Sequence, residues 1–170
     1  MSTEQNIERH TIAVLVDNEA GVLARVVGLF SGRGYNIESL TVAEVDNAGH
    51  TSRITIVTSA TPMVIEQIKA QLERLVPVHK VVDLTSDAPG IEREMALVKV
   101  AGTGERRVEA LRLSDAFRAR VIDTTHTSFI FEVTGAPEKI EAFVGLMRPL
   151  GLVDVSRTGV VAIARGPEAM

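Results

Sequence analysis

One order of elements, written twice, constrains this chain of 170 residues more than any single motif does. An apolar run, an amphipathic helix, two strands, a second helix and a further strand occupy residues 11 to 84. The same succession returns after residue 93. A β-α-β-β-α-β order puts both helices on one face of a small mixed or antiparallel sheet and leaves the other face to be covered or polar. The expected fold class is therefore α+β, in two consecutive domains over residues 1–85 and 93–170, with 86–92 as the linker. No residue-level repeat accompanies the repeated order.

Hydrophobic periodicity supplies the elements. Thr11 to Val16 (T-I-A-V-L-V) is a buried strand, apolar at both parities, so its second face also needs cover. That need motivates an expectation of dimerisation. Leu23, Val26, Val27 and Phe30 recur as one helix face, and Gly32 and Gly34 mark its end. Asn36 to Val45 and Ser52 to Thr58 flank a turn at Asp46-Asn47-Ala48-Gly49. Pro62 opens a second helix with Ile65, Ile68 and Leu72 inward, and Val76 to Leu84 holds the last strand. Ser86-Asp87-Ala88-Pro89-Gly90 is rich in turn residues and reads as a linker between the halves. Beyond it, strands are expected at Met95–Val100, Arg120–Asp123, Ser128–Val133 and, whole or interrupted, Val153–Ile163. Helices are expected at Arg106–Phe117, with Val108, Leu111 and Leu113 apolar, and at Lys139–Met147.

Several function classes lose support at this level. The chain has no cysteine, which removes disulfides, thiolate metal sites and Cys nucleophiles. Net charge is -4, and from residue 93 onward Lys and Arg number 11 against 10 Asp and Glu, with no basic excess for nucleic acid or an anionic membrane. Phe129 and Phe131 share a strand face, as base-stacking residues on an RNA-binding sheet would, but their neighbours are neutral or acidic and core packing is the better account. A polar start without a signal-peptide core, and no run near the roughly 20 apolar residues of a membrane span, lead us to expect a cytoplasmic protein. His10, His50, His79 and His126 are far apart and read as solvated turn or strand-end residues, so no metal site is expected. Gly32-Arg33-Gly34 follows a helix rather than a strand, the wrong context for a phosphate loop. No nucleophile, base and orienting group converge, and no catalytic residue is expected.

The segment D-N-E-A-G at residues 17 to 21 is the exception. It places an amide and a bare glycine where a helix begins. Helix N-termini carry unpaired N–H groups and partial positive charge, which suit a small carboxylate. Gly21 lets a ligand approach the backbone, and Asn18 offers a donor and an acceptor. Asp17 and Glu19 have a structural use as first-turn acids. Two readings stay open on this chemistry: an Asx-type capping turn, or an amino-acid seat.

The stretch V-L-V-D-N-E-A-G-V-L-A-R-V-V-G-L-F-S-G-R-G-Y-N-I-E-S-L-T-V (residues 14 to 42) resembles the ACT-domain family of amino-acid-sensing modules, and within it the regulatory small subunits of acetolactate synthase. S-R-I-T-I-V (52 to 57), E-Q-I-x-x-Q-L-x-x-L-V (66 to 76), R-E-M-A-L-V-K-V (93 to 100) and G-V-V-A-I-A-R-G (159 to 166) extend the likeness. The loop at Asp46 to Thr51, and Thr158 where that family has Ser, depart from it. The resemblance implies a ferredoxin-like ACT domain followed by a second ferredoxin-like regulatory domain. It implies a homodimer through the ACT domain, bound to a catalytic large subunit that carries thiamine diphosphate, magnesium and FAD, with no cofactor on this chain. It implies activation of that subunit and feedback inhibition by L-valine in branched-chain amino-acid biosynthesis. Carried onto this sequence, Asn18, Gly21 and Val22 of one protomer would hold the valine, and Asn36 and Ile37 of the other would close the site.

Overall fold

The computed structural model describes residues 6–170. It divides into two compact units. One gathers the residues up to Ile91 with Val160–Met170, and the other spans Glu92–Gly159.

The first unit runs β1 (Glu8–Asp17), α1 (Val22–Gly32), β2 (Ser39–Asp46), β3 (Thr51–Ala60), α2 (Pro62–Glu73) and β4 (Val78–Asp83). Its strands form an antiparallel sheet in the order β2-β3-β1-β4, with β1 in the middle. Strand period puts Ile12, Val14 and Val16 on one face, where they meet Val22, Val26 and Phe30 of α1 and Ile65, Ile68 and Leu72 of α2. Leu23, expected on the buried face of α1, is exposed instead. Both flanks of this helix are apolar, so the packed stripe lies about one residue toward Leu29, a rotation that periodicity alone does not set. The helix stops as expected. Tyr35 N–H reaches Phe30 O at 3.0 Å and Gly34 N–H reaches Ser31 O at 3.3 Å, while the Tyr35 ring meets the Phe30 ring edge-on.

The second unit contains most of β5 (Gly90–Ala101), then α3 (Gly104–Ala116), β6 (Arg120–Thr124), β7 (Ser128–Gly135), α4 (Pro137–Met147), a 3-10 turn at Arg148–Leu150 and β8 (Leu152–Arg157). The strand order is β6-β7-β5-β8, all antiparallel, so the β-α-β-β-α-β order does recur. Val98, Phe131, Val133, Ile140, Phe143 and Met147 fill the core, and the Phe131 and Phe143 rings stand edge-on at 5.9 Å. Phe129 is buried too, beneath the Arg107 guanidinium 4.0 Å from its ring centre, so neither ring offers a stacking platform. On α3 the inward residues are Ala110, Leu113, Ser114 and Phe117, whereas Val108 and Leu111 are exposed. A small residue and a hydroxyl occupy the packed stripe, which hides it from a hydrophobicity pattern. Ser114 Oγ satisfies itself on Leu111 O at 2.7 Å.

The compact units differ from the expected division in two places. The second unit ends at Gly159. After Gly159 the chain returns to the first unit as β9 (Val161–Ala164). Arg53 Nη2 donates to Ala162 O at 2.7 Å, Thr41 Oγ1 donates to Val160 O at 3.1 Å, and Val160 N–H donates to Ser39 Oγ at 2.8 Å. Ala162 packs with Ala13 and Leu84, so the second face of β1 receives cover from this chain itself. Within the expected 86–92 linker, residues Ser86 to Ala88 fold back onto Asp83 and a strand begins at Gly90. Asp83 Oδ1 accepts N–H groups from Thr85 and Ser86, and Asp83 O accepts those of Asp87 and Ala88.

Candidate functional site

The β1–α1 turn sits at the open end of the first unit's sheet. Asp17 N–H donates to Pro77 O at 2.9 Å and Asn18 N–H to His50 O at 2.7 Å, which ties the turn to both neighbouring strand ends. Asp17 Oδ1 lies 2.5 Å from His79 Nε2. Asp17 and Glu19 both precede the helix and are not first-turn acids, because α1 starts only at Val22.

Gly21 is the N-cap residue of α1. Its backbone is left-handed (φ 85), a conformation L side chains rarely adopt, and no atom would lie within 4 Å of an added Cβ. No side chain caps the helix. The capping-turn reading of Asn18 is therefore not what the fold uses. The first N–H to bond into the helix is that of Arg25, to Gly21 O at 3.1 Å, and the N–H of Val22 reaches Glu19 O only at 3.4 Å. The intervening N–H groups of Leu23 and Ala24 stand before the first intrahelical bond, at the positive end of the helix dipole. The Asn18 side chain is exposed and makes no hydrogen bond among the described residues. Val22 is buried, so only its backbone can serve a ligand.

Asn36 and Ile37 lie at the far end of α1. Eleven helical residues set them about 16 Å from Gly21. The sheet gives the same answer. Asp17 pairs with Thr51, whereas Ser39 pairs with Val57, about 20 Å further along β3. Asn36 O accepts the Thr58 hydroxyl at 2.6 Å, which fixes that backbone, and Ile37 packs half-buried against the core. One copy of the chain thus holds the two expected halves of the site at opposite ends of one unit. A single protomer does not assemble it.

Sequence reasoning also missed a buried polar group. His10 is no solvated histidine. It is 5% exposed, and its Nδ1 lies 2.7 Å from Oδ2 of the wholly buried Asp83, with Glu8 Oε2 at 3.3 Å from Nε2. Burial opposes the Asp83 charge, but the Thr85 N–H, the His10 ring and the Ser86 N–H outweigh it and hold this carboxyl below the usual range. The two partners are 73 residues apart, and no local signal announces them. This cluster locks β1 to the loop after β4 and touches none of the seat residues. Among the described residues no group of three His, Asp or Glu side chains could hold a metal ion, and no helix is long and apolar enough to cross a membrane.

Comparison with known proteins bears on both units. Residues 12–80 match the family model described as AHAS small subunit-like ACT domain, and residues 93–166 match the one described as small subunit of acetolactate synthase. A probable acetolactate synthase small subunit of Archaeoglobus fulgidus is 48% identical over 93% of this chain and 98% of its own length. The acetolactate synthase isozyme 3 small subunit of Escherichia coli is 44% identical over 95% of this chain and 99% of its own. The crystal structure of the acetolactate synthase small subunit from Thermotoga maritima superposes with a TM-score of 0.83 at 38% identity, over 95% of this chain and 99% of that one.

Proposed function

The chain belongs to the family of acetolactate synthase small subunits, and we propose that it regulates a catalytic large subunit by binding L-valine between two copies of its ACT domain. The observation that carries this reading is the uncapped start of α1, with Gly21 open to a ligand and Asn18 beside it. A valine carboxylate would take the N–H groups around Gly21 and Val22, where the helix dipole favours negative charge. The Asn18 side chain would serve the carboxylate or the ammonium group, since it can donate or accept. Asn36 and Ile37 of the other protomer would close the seat, because those of the same protomer are about 16 Å away. Exposed Leu23 on α1 and exposed Val42 on the edge strand β2 support a protomer contact on this side of the unit.

A ligand held by two protomers favours the dimer geometry that brings the half-sites together. It acts on the enzyme only through its different affinity for two states of the complex. The chain itself performs no chemistry in this reading. Thiamine diphosphate, magnesium and FAD belong to the large subunit, which condenses pyruvate with pyruvate or 2-oxobutyrate in the cytoplasm. This chain raises that activity and lets valine, an end product, lower it.

The test is reconstitution of the large subunit with wild-type chain and with Gly21→Asp. The wild-type complex is activated and valine-sensitive. The variant places a carboxylate in the seat, so it should activate equally and lose inhibition. Valine sensitivity equal to wild type would refute the seat.

A further inference from the structure

We propose that Ser39 and Thr41 couple occupancy of the valine seat to the second unit, by clipping Val160, the residue at which the chain returns to the ACT unit. The inference rests on the seat proposed above and names the residues through which it is felt. Ser39 Oγ accepts the Val160 N–H at 2.8 Å, and the Thr41 hydroxyl donates to Val160 O at 3.1 Å. One residue is thus held through both of its backbone groups, and Val160 is buried, where such bonds face little competition from water. Thr41 pairs with Thr55 and Thr55 with Ala13, which puts this clip on the sheet face opposite α1 and α2.

At one end, Ser39 stands two residues after Ile37, and Asn36 with Ile37 closes the seat. Asn36 O accepts the Thr58 hydroxyl at 2.6 Å and Glu38 N–H donates to Val57 O at 2.8 Å, so the backbone between has no slack. β2 pairs with β3 alone within this unit, which lets its start shift as a body. At the other end, Val160 directly follows Gly159, the last residue of the second unit. Thr158 is fixed inside that unit: its N–H donates to Met95 O at 3.0 Å, and its hydroxyl takes the Met95 N–H at 3.1 Å. Gly159 alone separates the two clips, with left-handed backbone (φ 86), and consecutive Cα atoms keep a fixed spacing of about 3.8 Å. A valine that favours the clipped position of β2 therefore biases the tether of the second unit, and by linkage the clip favours valine. Arg53 supplies the contrast. It also holds the return strand, Nη2 donating to Ala162 O at 2.7 Å, but from the inner strand β3, four residues from the Val57 that pairs with Ser39.

The test compares full-length wild type, the double variant Ser39→Ala with Thr41→Val, and Arg53→Gln. Each is titrated with L-valine by calorimetry and assayed for valine inhibition after reconstitution with the large subunit. The double variant should bind valine saturably, with a Kd within about tenfold of wild type, while inhibition at saturating valine falls at least about fivefold. Arg53→Gln should keep its inhibition. Hydrogen exchange gives a second readout: valine should slow the amides around Val160 in wild type and leave them unchanged in the double variant. Full inhibition by the double variant would overturn the proposal, as would loss of its valine binding or an equal loss of inhibition in Arg53→Gln. A wild-type chain that binds no valine, alone or with the large subunit, would sink the seat itself and this inference with it.

Discussion

Gly21 and Gly151 both hold left-handed backbone, yet a methyl group means different things at each. Around Gly21 the space is open, so Gly21→Asp carries mainly the backbone cost of about 1–2 kcal/mol. The variant should fold, as circular dichroism can show, and lose its valine response. At Gly151 (φ 105) an added Cβ would sit 2.0 Å from Ala101 O. Gly151→Ala should destabilise the chain by more than about 3 kcal/mol, seen as loss of the second unit's thermal transition. The sequence marks Gly21 because a helix pattern starts beside it. It says nothing of Gly151, whose constraint is a carbonyl 50 positions away. Asp83 is equally silent in the sequence and has a pH signature. Its carboxyl is held below the ordinary value, so the stability it contributes is present above about pH 4 and lost as pH falls through its folded pKa. In acid titration of unfolding, Asp83→Asn should flatten this low-pH dependence and lower stability at neutral pH. Unchanged curves would mean the buried cluster contributes nothing.

Elements were legible where side-chain period and backbone chemistry agree. The start of α2 at Pro62 and the end of α1 at Gly32 follow from local rules, and β1, β3 and β4 overlap the runs expected for them, while β2 starts at Ser39 and not at Asn36. Failures came from tertiary choices. The packed face of α3 is built on Ala110 and Ser114, and the last strand, β9, leaves the second unit for the first. Distant ion pairs were illegible for the same reason. Glu94 on β5 is buried and takes a two-pronged grip from Arg157 on β8, at 2.6 and 2.9 Å, while a third contact joins Arg157 to Glu141. These carboxylates, Glu94 first, hold the guanidinium well above its ordinary pKa, so it stays charged. Arg157→Leu strands the Glu94 charge and should cost about 3 kcal/mol by denaturant titration, whereas Arg157→Leu with Glu94→Gln should recover part of that loss. Equal losses in both variants would show that the pair acts through packing alone.

The whole molecule combines an ACT unit whose α1 starts without a side-chain cap at Gly21 with a second unit built on the same element order. Family membership covers both, and it explains why the chain resembles its relatives along nearly their full length. The candidate seat in D-N-E-A-G and its sharing between two protomers were expectations of the resemblance, and the fold adds that Asn18 and Asn36 stand at opposite ends of α1. Valine binding should accordingly depend on a second copy. The most direct measurement is isothermal titration of L-valine into the full chain, alone and with the large subunit, with D-valine and L-lysine as controls. Saturable binding of L-valine alone, at one or fewer per protomer and absent in Gly21→Asp, is the predicted result. No heat from L-valine in either preparation, or equal heat from all three amino acids, would contradict the account.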